Sequence, residues 1–112
     1  MDAALDATLD GLHNILAGYQ CGTVYKPIYL EAQAAAALAM YVWAKVTPPT
    51  NLLNWSITDP QTNASVASVL LTPEWVTAKT INSTVIADNF VTAATLCAGK
   101  YASACSAAGI SG

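Results

Sequence analysis

Positive charge is scarce in this sequence. Its 112 residues include four lysines and no arginine against seven acidic residues, so the formal net charge is −3 at pH 7. A protein that binds nucleic acid electrostatically needs a face rich in Lys or Arg to neutralise phosphates. We therefore expect no nucleic-acid partner.

Histidine and cysteine, the usual residues of metal sites and nucleophilic catalysis, are also few. The chain has one histidine, His13, and three cysteines. This set suits neither a four-cysteine zinc site nor a Ser-His-Asp triad. We predict that the chain is not an enzyme and holds no metal or cofactor, and we expect His13 to be an exposed helix residue.

Long apolar runs are missing as well. The longest, at 34–44, has eleven residues, whereas about 20 are needed to cross a bilayer. The opening Met1-Asp2-Ala3 lacks the positive and apolar regions of a secretory signal. We expect no membrane-spanning segment and no signal peptide in this chain.

The residues that are present predict a mixture of helices and strands. The predicted elements are a helix at 8–17, a strand at 22–25, an Ala-rich helix at 28–45, a hairpin with strands at 52–58 and 66–72, and short helices at 79–87, 92–98 and 100–108. Either Asp6 or Thr8 can cap the first helix, and Thr77 the helix at 79–87. One short strand and one hairpin offer too little strand–helix alternation for a parallel sheet.

Four sequence blocks resemble a known family. They are DATLDGL at 6–12, TVYKPI at 23–28, VLLTP at 69–73 and TVIAD at 84–88. In this order and at these separations, they resemble the C-terminal third of the D-xylose-type sugar-binding proteins of ABC transporters. That family has the type I periplasmic-binding fold, in which two α/β lobes joined by crossing segments close on a sugar.

The resemblance implies an α/β chain that is incomplete on its own. Residues 1–26 would end the C-terminal lobe up to a lobe crossing. Residues 27–71 would carry the Ala-rich helix and hairpin of the N-terminal lobe, and residues 72–112 the helical tail of the C-terminal lobe.

Two residues receive a binding role from the resemblance. Asp6 would accept hydrogen bonds from sugar hydroxyls, because a carboxylate can take two vicinal hydroxyl donors; the alternative is a helix cap. Lys26 would donate to a sugar hydroxyl and form a compensated buried pair with Asp6; the alternative is a solvated lysine before a turn. The tryptophans, namely Trp43, Trp55 and Trp75, are expected to pack in the core or an interface.

The exported compartment that the resemblance implies favours a disulfide between Cys97 and Cys105, with Cys21 packed elsewhere as a small hydrophobe. The alternative is three reduced thiols. Eight helical residues span about 12 Å, beyond the roughly 7 Å Cα limit for a bridge. The pair can close only if the chain turns, and Gly99 is the residue that allows it.

The implied function is reversible capture of a monosaccharide, a pentose such as xylose, for an ABC permease. The parent protein would be periplasmic or extracellular at the cell surface, and this chain a fragment with part of the site. The alternative is a small oligomerising interaction or structural protein with no ligand of its own. Exposed apolar patches and unpaired sheet edges would drive such self-association.

Overall fold

The protein is mixed helix and strand. A computed structural model describes the backbone of residues 2–111 and the side chains of residues 6–111. The helices and strands are, in chain order, β1 (Asp2–Leu5), α1 (Leu9–Leu16), β2 (Gln20–Tyr25), α2 (Ile28–Ala44), β3 (Trp55–Thr58), β4 (Ser65–Ser68), β5 (Glu74–Val76), α3 (Ala93–Leu96) and α4 (Ala102–Ala107). The chain divides into two compact units, unit 1 (Met1–Lys26 with Pro73–Gly112) and unit 2 (Pro27–Thr72).

Helix α1 forms where its apolar spacing predicts. Of the two candidate caps, Thr8 performs the role, since its side-chain oxygen accepts a hydrogen bond from the Gly11 amide at 3.2 Å. Leu12 and Ile15 are buried on one face of the helix. Gly18, at φ 80°, follows the helix in the left-handed conformation that favours glycine.

Unit 1 contains a three-stranded sheet in the order β1-β2-β5. Strand β1 pairs in parallel with β2, and β5 pairs with β2 in the antiparallel direction. The prediction of a single short strand with no parallel pairing is therefore wrong. Strands β1 and β5 have four and three residues, too few for a period-two pattern to stand out, and only pairing with β2 makes them strands.

The core of unit 1 draws on both ends of the chain. Its buried apolar residues are Ala7, Leu12, Ile15, Tyr25, Val76, Ile81, Val85, Leu96, Cys105 and Ile110. Half of these residues follow β5, so the chain after the last strand supplies half of the buried apolar residues in this list. The short C-terminal helices are thus held by burial rather than by their own length.

In place of the α-helix predicted at 79–87, the structure has a shorter π-helical turn, Asn82–Ile86. Thr77 does not cap it through its side chain. Instead, the Thr77 amide donates to the Thr80 hydroxyl at 2.9 Å, and the Thr77 carbonyl accepts from the Ile81 amide at 3.1 Å. The expected cap is therefore replaced by a local turn.

Unit 2 consists of α2 and the hairpin. The predicted hairpin is confirmed: β3 and β4 pair in the antiparallel direction, with Ile57 opposite Val66. Asn54 closes its open end, because its side-chain amide donates to the Leu70 carbonyl at 2.8 Å and its oxygen accepts from the Leu70 amide at 2.9 Å. Helix α2 ends at Lys45, which has φ 55°, and none of its residues is buried.

The tryptophans do not occupy the core. Trp43, Trp55 and Trp75 are 81%, 63% and 51% exposed, so none of the three packs in the core, and the alternative expectation, packing in an interface, stays a prediction. The Trp75 ring covers Gly22 so closely that a Cβ there would lie 2.6 Å from the ring carbon Cζ2.

Candidate functional site

The structure brings Asp6 and Lys26 together at one edge of the unit 1 sheet. Asp6 directly follows β1, and Lys26 directly follows β2. Since β1 and β2 are parallel neighbours, their carboxyl ends meet at the same edge, which is where ligands bind in open α/β sheets. The Lys26 Nζ atom lies 2.6 Å from the Asp6 Oδ1 atom.

The backbone at Asp6 is held in an uncommon conformation. Asp6 and Ala7 have φ angles of 78° and 42°, a left-handed region that costs a non-glycine residue about 1–2 kcal/mol. Two hydrogen bonds to β2 hold this turn. The Asp6 amide donates to the Val24 carbonyl at 3.0 Å, and the Ala7 amide donates to the Thr23 hydroxyl at 3.2 Å. Both Ala7 and Thr23 are fully buried.

The ion pair is open to solvent. The side chains of Lys26 and Asp6 are 49% and 62% exposed, so the expectation of a buried pair is wrong for this chain. Both residues lie beyond the last residues of their strands, where solvent reaches the sheet edge. An exposed pair adds little to stability. The carboxylate offers hydrogen-bond acceptors and the ammonium offers hydrogen-bond donors.

Behind Lys26, Tyr25 anchors the end of β2. Its side chain is 1% exposed, and its hydroxyl donates to Asp88 Oδ2 at 3.1 Å. Its ring meets the Phe90 ring at a centroid distance of 5.1 Å and an angle of 55°. Sequence reasoning assigned no role to Tyr25 or Asp88. The only signal was their place in the TVYKPI and TVIAD blocks.

His13 is not the exposed helix residue that its neighbours suggest. It is half-buried, and its Nε2 atom donates to the Leu96 carbonyl at 2.9 Å. Its ring stacks on the Tyr101 ring, with centroids 3.7 Å apart and planes within 5°. The expectation fails because Leu96, the last residue of α3, and Tyr101 lie against this side of α1.

The structure joins Cys97 and Cys105 in a disulfide, with their Cα atoms 5.8 Å apart. The chain turns between them at Gly99, which has φ 59°. Cys21 is exposed, so the expectation that it packs as a small hydrophobe is wrong. It is the one exposed residue of β2, and its neighbours on either side are buried.

Neither a metal cluster nor a membrane helix is seen in the described part of the chain. Among residues 6–111, whose side chains the structure describes, no group of three or more His, Cys, Asp or Glu residues is placed to hold a metal ion. No helix in the same range has the length and apolar character needed to cross a membrane.

Comparison with known proteins gives the site its context. No protein-family model matches the chain. The D-xylose-binding periplasmic protein of Escherichia coli (strain K12) is 42% identical to it over 86 residues. The chain is thus related to a D-xylose-binding periplasmic protein. This similarity confirms the resemblance that the sequence blocks indicate.

The match covers 76% of this chain and 24% of the relative, so the chain spans about a quarter of that protein's length. The name of the relative describes binding of D-xylose and no catalysed reaction, and the prediction that this chain is not an enzyme agrees with that name.

Proposed function

We propose that the chain is part of the sugar-binding component of an ABC transporter and contributes one wall of a monosaccharide site. The sugar is a pentose such as xylose. The observation that carries this proposal is the Asp6–Lys26 pair at the carboxyl edge of two parallel strands, 2.6 Å apart and open to solvent, in a chain related to a D-xylose-binding protein.

The pair suits a sugar because its hydrogen-bond acceptor and its hydrogen-bond donor lie as close together as two neighbouring hydroxyls of a sugar. The Asp6 carboxylate accepts from sugar hydroxyls, and the Lys26 ammonium donates to sugar oxygens. Both bonds are charge-assisted and so stronger than neutral ones. The buried contacts of Ala7 and Tyr25 hold the two backbone segments in place, so that the pair is pre-organised before a ligand arrives.

The division of the chain supports a two-lobe parent protein of the type I periplasmic-binding fold. The two boundaries between the units fall at Lys26/Pro27 and Thr72/Pro73, where the chain would cross between lobes. The resemblance implies that residues 1–26 and 72–112 belong to the C-terminal lobe and residues 27–71 to the N-terminal lobe, and the second of these bounds lies one residue before the boundary between the units. The parent is periplasmic or at the cell surface, and it delivers sugar to a permease.

A chimera tests the proposal. In it, this chain replaces the matching quarter of the E. coli relative, and D-xylose binding is measured by calorimetry. We expect the chimera to bind xylose, and Asp6→Ala and Lys26→Met each to weaken binding about 10- to 150-fold, since a hydrogen bond to a charged group contributes roughly 1.5–3 kcal/mol.

Matched controls separate the site from general charge effects. Asp10→Ala and Lys79→Met make the same changes at exposed positions, and both should leave the affinity within about twofold. A chimera that folds but does not bind xylose would contradict the function. A chimera that binds xylose equally well with Asp6→Ala and Lys26→Met would contradict the assignment of the site alone.

A second function, self-association without a ligand, is favoured by one observation. Helix α2 is mostly apolar with no separate polar face, has no buried residue, and exposes Trp43, Val42 and Met40 by 81%, 74% and 63%. Helices that are apolar all round are normally buried. Light scattering of the 112-residue chain distinguishes the two functions: oligomers that xylose does not alter would favour self-association.

A further inference from the structure

The segment that follows α3 forms a small closed loop in unit 1. Its two ends are Cys97 and Cys105, which the disulfide joins. Within the loop, Tyr101 presents its ring to His13 of α1. The residue before the loop, Leu96, accepts the hydrogen bond from His13 Nε2. Both contacts of His13 therefore come from the loop or the residue next to it.

We propose that the Cys97–Cys105 disulfide is a redox-sensitive lock that keeps Tyr101 stacked on His13 and so fastens the C-terminal tail (residues 92–111) to α1. The lock rests on contacts within unit 1 only. It does not depend on the proposed sugar binding and is tested without sugar.

The helices of the C-terminal tail are too short to hold the contact themselves. Helix α3 has four residues, the 3-10 turn Gly99–Tyr101 has three, and α4 has six. Isolated helices below about 12 residues are marginal in water. The disulfide restricts the conformations of the loop that carries Tyr101. Less conformational entropy is therefore lost when the Tyr101 ring stacks on His13.

The C-terminal tail has a part that is buried in the core and a part that is half-buried or exposed. Leu96, Cys105 and Ile110 are 0%, 1% and 4% exposed and belong to the core. Tyr101 is half-buried, and its neighbours Lys100 and Ala102 are exposed. Opening the bridge therefore releases the stretch around Tyr101 first, while the core contacts of the C-terminal tail remain.

The chemical step is thiol–disulfide exchange with a dithiol reductant. A thiolate of the reductant attacks the half-buried Cys97 sulfur, the S–S bond breaks, and Cys105 leaves as a thiolate that takes up a proton. The second thiol of the reductant then displaces Cys97 in the same way. The products are two protein thiols and the cyclic disulfide of the reductant, so two electrons and two protons pass to the protein.

The first experiment follows the ring protons of His13 by NMR in the 112-residue chain, before and after addition of dithiothreitol. Stacking on Tyr101 shields these protons. We expect reduction to move their signals downfield to the positions that they take in Tyr101→Ala. The methyl signals of the buried Val76 should keep their dispersion.

Two variants accompany this measurement. The double variant Cys97→Ser/Cys105→Ser should show the released His13 signals without reductant. Cys21→Ser should behave like the parent, because that cysteine lies outside the loop. Unchanged His13 signals on reduction would overturn the lock, and so would a loss of all dispersion, since the release would then be global unfolding.

The second experiment uses the reciprocity of coupled equilibria. If the disulfide stabilises the ring stack, the stack stabilises the disulfide by the same factor. We expect Tyr101→Ala to raise the equilibrium constant for reduction by dithiothreitol about two- to tenfold, as the energy of an aromatic pair implies. Tyr19→Ala, at a 77% exposed tyrosine, is the control. Equal constants in the two variants would refute the proposal.

Discussion

One of the two hydrogen bonds that hold the turn at Asp6 ends on a buried hydroxyl, and Thr23→Val removes it. The Ala7 amide donates to the Thr23 hydroxyl at 3.2 Å, and both residues are fully buried. Valine keeps the shape of threonine but offers no acceptor. Water cannot reach the Ala7 amide to replace it, so the amide is left unsatisfied, at a cost of about 1–3 kcal/mol of unfolding free energy.

The effect is measurable as a thermal shift. A loss of 1 kcal/mol lowers Tm by about 4–8 °C in a small domain, so Thr23→Val, at a loss of about 1–3 kcal/mol, should lower Tm by roughly 4–24 °C. Circular dichroism of the 112-residue chain follows the transition. Thr58→Val makes the same change at an exposed position of β3 and should shift Tm very little. A Thr23→Val variant as stable as this control would refute the role given to the hydroxyl.

Two further predictions concern the sheet and the hairpin turn. Gly22→Ala should destabilise the chain by about 1–3 kcal/mol, because its Cβ would lie 2.7 Å from the Val76 carbonyl oxygen and 2.6 Å from the Trp75 ring. In urea melts, adding Trp75→Ala to Gly22→Ala should restore only part of the lost unfolding free energy, since the clash with the Val76 carbonyl oxygen remains. Full restoration would argue against that backbone clash. In the hairpin, hydrogen bonds from the Thr62 hydroxyl and then the Gln61 amide hold the pKa of Asp59 below its ordinary value of 3.8. The stabilisation by ionised Asp59 is thus present above that value and lost as the pH falls through the folded pKa. An NMR titration should show that Thr62→Val raises the pKa of Asp59, and an unchanged pKa would contradict this account.

Local sequence signals were sufficient for the elements with their own caps and periodicity. Helix α1 begins after Thr8 because a threonine there can satisfy a helix amide. The hairpin forms around the Asp59-Pro60 turn, between two runs of β-favourable residues. These features depend on neighbours in the chain, which the sequence displays directly.

Local sequence signals could not predict the long-range contacts. Strand β5 pairs with β2 across about 50 residues, and the Leu96 carbonyl meets His13 across 83 residues. No local pattern within a strand of three or four residues predicts such pairing. The turn at 82–86 is π-helical, and the neighbouring Ile81 and its own Val85 belong to the core. Helical periodicity in the sequence does not distinguish such a turn from an α-helix.

The candidate site shows the same division. The resemblance of the sequence blocks singled out Asp6 and Lys26 as a pair. Only the tertiary structure decided that they meet 2.6 Å apart and that both remain open to solvent, because their meeting requires the parallel pairing of β1 with β2. Residue type determines the hydroxyl-binding chemistry of a carboxylate and an ammonium, whereas the distance between them and their access to water depend on how the strands pair.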